Sequence, residues 1–136
     1  MGLIVCATGN GDASRIVQSR AVRMAQEQGK KLVFLHIIDV KRLGDLEPVL
    51  VPAAEREMAW LGEATLNLAQ ERARRQNVDA DYAIRYGPVL EQLEKFIKEQ
   101  HADVLLLGQP TDDALLHFAH TIEDDTGVPV QLVTTG

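Results

Sequence analysis

Two glycine-bearing turns carry the residue types that hold phosphate. The first is TGNGDAS at residues 8–14 and the second is GQPTDD at residues 108–113; each follows an apolar run and precedes a helical pattern. Turns of this kind bind anions because glycine lets the backbone approach and the helix N-terminus directs its free N–H groups outward. The second turn opposes that chemistry with adjacent carboxylates, Asp112 and Asp113, where an anion would sit. Read as a dinucleotide fingerprint, the first turn gives Gly9-x-Gly11-x-x-Ser14, with Asp39 as the ribose acid. Serine then replaces the glycine needed for close helix packing, and the chain is too short for a second mononucleotide half. Read as a pyrophosphatase-type loop of the form SGGxDS, it needs an inserted residue and lacks a lysine or magnesium-binding partner. The plain reading is a tight turn with glycines at positive φ and Asp12 or Ser14 capping the helix.

Other chemistry-bearing residues are sparser. His117, His120 and Asp124 share one helical face at a spacing zinc sites use, but the ligand set is short and no metal site is assigned. His36 falls inside an apolar strand and His101 at a helix-to-strand corner. Cys6 also sits in an apolar run, where a thiol is inert. Ser14 and Ser19 lack a nucleophile elbow. Carboxylates at Asp112–Asp113 suit a helix N-terminus, whereas Asp124–Asp125 stand near a helix C-terminus, where the dipole opposes them. No catalytic residue is assigned, and the chain is expected not to be an enzyme.

Composition narrows the classes further. With 46% hydrophobic and 25% charged residues over 136 positions, the chain reads as one globular domain, residues 1–136. Net charge is −6, and the arginines fall in two separated groups, Arg15, Arg20 and Arg23, then Arg72, Arg74 and Arg75, with acids between. That pattern argues against nucleic acid as a partner. The single cysteine excludes an intrachain disulfide and fits a reducing compartment. MGLIVCATG has neither the basic nor the long apolar region of a signal peptide, and no apolar stretch reaches membrane-spanning length. A cytoplasmic protein with no membrane partner is expected.

The elements that must position the turns alternate along the chain. Residues 3–7 form a short apolar run suited to a strand buried on both faces, followed by a helical pattern through Val17, Ala21, Met24 and Ala25 that stops at Gly29. KLVFLHIIDV is a second strand, and residues 41–52, rich in proline and glycine, read as a surface connection. A helix over 53–75 carries Ala54, Met58, Leu61, Ala64 and Leu68 on one stripe. VDADYAIRY alternates as a strand near a sheet edge, Gly87-Pro88 opens a helix with Val89, Leu93, Phe96 and Ile97 inward, and ADVLLLG is a fourth strand. A helix from Thr111 to about Asp125, with Leu115, Ala119 and Ile122 inward, leads to a closing strand, VPVQLVTT. Strands alternating with helices imply an α/β fold with a parallel, doubly wound sheet, whose ligands bind outside the carboxyl ends of the strands where their order reverses.

LIVCATG, KLVFLHIIDV, RYGPVLEQLEKFIKEQHADVLLLG and VPVQLV, taken in order, resemble the universal stress protein family over nearly the whole chain. The resemblance implies a single-domain Rossmann-like sandwich, of the adenine nucleotide alpha hydrolase-like type, with a five-stranded parallel sheet and helices on both faces. It implies a homodimer paired through the last strand, with Val128, Val130, Leu132 and Thr134 at the interface. Members that hold ATP carry Gly-x-x-Gly and then Gly-Ser or Gly-Thr before the closing strand. Here Gly108 supplies the first glycine, Thr111 stands where the second belongs, and only 21 positions separate Gly108 from Pro129. Thr8 replaces the family's aspartate beside the nucleotide. Asp112 and Asp113 add repulsion toward a triphosphate, roughly 1 kcal/mol per close pair in water.

The expectation is therefore a non-catalytic regulatory or interaction module of the stress response with an unidentified protein partner. It would hold neither ATP nor AMP, nor any other cofactor. The alternative is a divergent nucleotide or small-ligand binder using Ala7, Thr8, Gly9 and Asn10, with Ile38, Asp39 and Val40, and with Gly108, Gln109, Pro110 and Thr111.

Overall fold

The computed structural model describes residues 2–9, 12–109 and 113–134. Its elements run β1 (Leu3–Ala7), α1 (Asp12–Gln28), β2 (Lys31–Ile38), α2 (Val51–Arg75), β3 (Ala80–Tyr86), α3 (Val89–Glu99), β4 (Val104–Gln109), α4 (Asp113–Thr126) and β5 (Val130–Thr134). The five strands form one sheet in the order β3-β2-β1-β4-β5, and every pairing is parallel. Two crossovers step outward from β1 to β3, and the chain then returns past β1 to build β4 and β5. Right-handed crossovers put the helices of the two halves on opposite faces.

Side chains alternate between those faces along each strand. Ile4, Cys6, Leu32, Phe34 and Leu106 pack with Val17, Ala21, Leu66 and Ala69 of α1 and α2. Val5, Leu35, Leu105 and Leu107 pack with Leu93, Phe96, Ile97 and Ile122 of α3 and α4. Burial on both faces explains why the central strands read as continuous apolar runs rather than alternating ones. The outermost strands, β3 and β5, are the two whose side chains stay mostly half-buried.

Three local readings need correction. The buried stripe of α2 is Gly62, Leu66, Ala69 and Ala73, while Leu61 and Leu68 face solvent. Residue size hid this register, because the face against the sheet uses glycine and alanine for close approach and leaves larger apolar residues outside. The connection after β2 is more ordered than its composition suggests, with short 3-10 turns at Val40–Leu43 and Pro48–Leu50 leading straight into α2. Ser14 lies inside α1 rather than ahead of it, and its hydroxyl accepts the Gly9 N–H at 3.1 Å. Gly29 closes α1 at φ 62°, as its type requires.

Candidate functional site

The strand order reverses between β1 and β4, so the crevice outside their carboxyl ends is the site the topology offers a ligand. Pairing of Cys6 with Leu106 and of Ala7 with Leu35 brings the ends of β1, β2 and β4 to one edge of the sheet. Ala7, Thr8, Gly9, Ile38, Asp39, Val40 and Gly108 gather there. Asn10, Pro110, Thr111 and Asp112 lie outside the described residues, as do the side chains of Gln109 and Asp113.

Thr8 decides the character of the first wall. It extends the face that Ile4 and Cys6 occupy, so its side chain turns under α1 and is 6% exposed. The Thr8 hydroxyl accepts a hydrogen bond from Gln18 Nε2 at 2.5 Å and donates to the Gly9 carbonyl at 3.3 Å. Gln18 is buried as well, and its Oε1 accepts from the Arg72 guanidinium of α2 at 3.5 Å. The Thr8 N–H donates to the Leu35 carbonyl at 2.8 Å, carrying the β1–β2 ladder one step past the strand.

His36 locks the same turn from below. Its Nδ1–H donates to the Thr8 carbonyl at 2.8 Å, which fixes the proton on Nδ1 because a carbonyl can only accept. The ring is buried and abuts Gly62 of α2, where a Cβ would stand 2.4 Å from Cδ2 and 2.8 Å from Nε2. Glycine in mid-helix costs about 1 kcal/mol relative to alanine. Here it makes room for an imidazole. Sequence reading left both residues without a role, although a histidine in an apolar strand and a glycine inside a helix were signals of close approach.

The second wall is simpler. Asp39 caps the 3-10 turn after β2, its carboxylate accepting the Lys41 N–H at 3.1 Å, so it is engaged by its own loop. Ile38 is buried, Val40 and Gly108 are half-buried, and Gly108 pairs in register with Val133.

No reacting group is exposed among the described residues of this edge. Cys6 is fully buried, and desolvation pushes its thiol up to about 12, so it stays protonated at neutral pH. Among the described residues no three His, Cys, Asp or Glu side chains are grouped as a metal ion needs. His117, His120 and Asp124 are all exposed. Asp125 has a partner that the sequence did not suggest. It stands beside Glu94 of α3, and desolvation together with that neighbouring carboxyl holds Glu94 above the usual carboxylate range.

The last strand presents the other expected surface. Val128 precedes β5, and Val128, Val130 and Leu132 pack half-buried against the α3–α4 core, while Thr134 is exposed. The Leu105 N–H donates to the Pro129 carbonyl at 3.0 Å. Backbone groups alternate in direction along a strand, so those of Val130, Leu132 and Thr134 turn away from β4 toward the open edge. Among the described residues no helix is long and apolar enough to cross a membrane.

The sequence profile of the universal stress protein family matches residues 1–127. Solved structures agree in fold. UspA from Lactobacillus plantarum superposes with a TM-score of 0.80 at 18% identity, over 97% of each chain. A universal stress family protein from Burkholderia pseudomallei gives 0.75 at 21% identity, over 97% of this chain and 95% of that one. A universal stress protein in complex with cAMP gives 0.74 at 20% identity, over 99% of this chain and 98% of that one. No curated protein sequence matches the chain.

Proposed function

Because the chain belongs to the universal stress protein family, we propose that it is a non-catalytic regulatory module of the stress response that does not hold ATP in its switch-point crevice. The observation that carries this reading is Thr8. At the position where the resemblance places the aspartate beside a bound nucleotide, this chain has a buried hydroxyl bonded to Gln18 and Gly9. It offers the crevice no charge, and its hydroxyl is turned to partners inside the protein. Asp39 is likewise held by its own turn. The missing second glycine and the short spacing from Gly108 to Pro129 point the same way.

The module works as a cytoplasmic homodimer in this reading. An unpaired strand edge is a template for pairing, and β5 ends the sheet with the backbone groups of Val130, Leu132 and Thr134 outward. Antiparallel pairing with a second copy across a two-fold axis satisfies them. Light scattering tests this, with a dimer expected and a monomer at every concentration against it.

One observation favours a second reading, in which the crevice takes a small nucleotide. A structure of the same fold is in complex with cAMP, and a ligand with a single phosphate demands less of a shortened loop than a triphosphate does. Backbone-amide NMR with ATP and with cAMP separates the two. The main reading expects the Gly9 and Gly108 amides to stay in place with both ligands. Saturable shifts of both amides with cAMP alone establish the second reading, and shifts with ATP overturn the first.

A further inference from the structure

The two arginine groups that are far apart in sequence meet in space. Arg15 and Arg23 of α1 face Arg72 and Arg75 of α2 across an open cleft of about 640 Å³, a volume typical of small-ligand sites. The cleft lies along the α1–α2 seam and includes neither Gly9 nor Gly108. Hydrogen bonds tie the seam along its length: Arg72 donates to Gln18, and Gln26 Nε2 donates to the Gln76 carbonyl at 3.0 Å. Valine and alanine form the floor, glutamine amides stand beside the guanidinium groups, and no carboxylate lines the walls.

Four cations in one cleft run against the rest of the molecule, whose net charge is −6. Helix-dipole compensation accounts for part of the cluster, since Arg72 and Arg75 lie in the last turn of α2. It does not account for Arg15, which sits in the first turn of α1, where the dipole disfavours a cation. Ion pairing does not account for it either. Glu71 carries Arg74 at 2.6 Å and Arg75 at 3.6 Å, but among the side chains that are described Arg15 and Arg23 have no acidic partner.

We infer that the α1–α2 cleft is a binding site for an oligophosphate group, separate from the switch-point crevice. Guanidinium forks from two walls match the several anionic oxygens of such a chain. A carboxylate ligand would leave most of the donors unused. No aromatic side chain lines the cleft to stack on a base, so the phosphates are what it recognises. A long polyanion such as nucleic acid would extend beyond the cleft onto an acidic surface.

Calorimetry with sodium tripolyphosphate at low salt tests this, and the expected result is one-to-one binding that weakens as salt rises. The double variant Arg23→Glu/Arg75→Glu changes two exposed side chains outside the core. It is expected to lower affinity about a hundredfold, roughly tenfold for each arginine's charged hydrogen bond. Its thermal melt is expected to match the wild type; should it not, Arg23→Gln/Arg75→Gln removes the charges without reversing them and carries the same expectation. Competition with ATP then identifies the source. Displacement of tripolyphosphate assigns the site to a nucleotide-borne chain, and persistence assigns it to a free oligophosphate. No heat with the wild type, or equal affinity in the folded variants, overturns the proposal. Because the cleft shares no residue with Gly9 or Gly108, neither result decides whether the crevice holds a nucleotide.

Discussion

Two polar regions adjoin the α1–α2 layer, one beneath it at the sheet edge and one along the seam between the helices, and they are resolved in opposite ways. At the carboxyl edge of the sheet, Thr8, Gln18 and His36 are each at most 7% exposed and each has a hydrogen-bond partner inside the protein. Along the helices, Arg15 and Arg23 face a cleft with no acid on its walls. Buried polar groups must be paired, whereas exposed cations need not be. The first region is therefore structural, a turn held shut by its own side chains. The second leaves the guanidinium groups of Arg15 and Arg23 open to something from outside. Arg72 belongs to both, donating to Gln18 while lining the cleft.

The largest effect that would break this contrast comes from Gly62. Gly62→Ala places a methyl against the His36 ring and is expected to cost about 1–3 kcal/mol, despite alanine's better helix propensity. Urea denaturation measures it. His36→Ala in the same background should recover part of the loss, whereas additive losses would show that the ring contact is not the cause. Thr8→Val comes next. It leaves Gln18 Nε2 without its acceptor in a buried setting, at about 1–3 kcal/mol. By contrast, Arg23→Gln/Arg75→Gln should leave stability within about 0.5 kcal/mol, because exposed positions away from the core tolerate change and exposed ion pairs contribute little.

Titration sharpens the comparison further. The Cys6 pKa rises from 9.0 to about 12 in the folded chain, so the unfolded chain loses its proton first as pH increases. The stability contributed by the buried thiol is full below pH 9.0 and is lost between there and about 12. The expected decline is about 1.4 kcal/mol per pH unit within that window. Cys6→Ala should flatten the alkaline limb of the stability curve; an unchanged limb would mean another group governs it. The smallest effect belongs to Glu94, whose raised pKa favours the protonated fold, so its contribution is present below the usual carboxylate pKa and fades as pH rises through the folded value. Glu94→Gln should remove that component from the acid-to-neutral profile.

The contrast also marks what could be read from residues alone. Element order, the parallel sheet and the two edge strands followed from apolar runs alternating with helical periodicity, because burial on two faces leaves that trace. The register of α2 did not, since Gly62, Ala69 and Ala73 carry little hydrophobic signal and the larger Leu61 and Leu68 drew the stripe to the wrong face. The candidate crevice was legible as a place, through Gly9 and Gly108. Its inner chemistry was not, because the bonds from Thr8 to Gln18 and to His36 join residues 10 and 28 positions apart with no shared motif. The arginine cleft was not legible for a related reason. Two groups separated by acids in sequence look scattered, yet parallel crossover helices on one face bring them side by side.

Crystallography with millimolar ATP tests the central claim most directly, by the electron density between the Thr8 turn and Gly108. The account predicts no nucleotide there, with the Thr8 hydroxyl still on Gln18 and the His36 ring still on the Thr8 carbonyl. An adenine seated against residues 38–40, with its phosphates reaching the Gly108 turn, would contradict it.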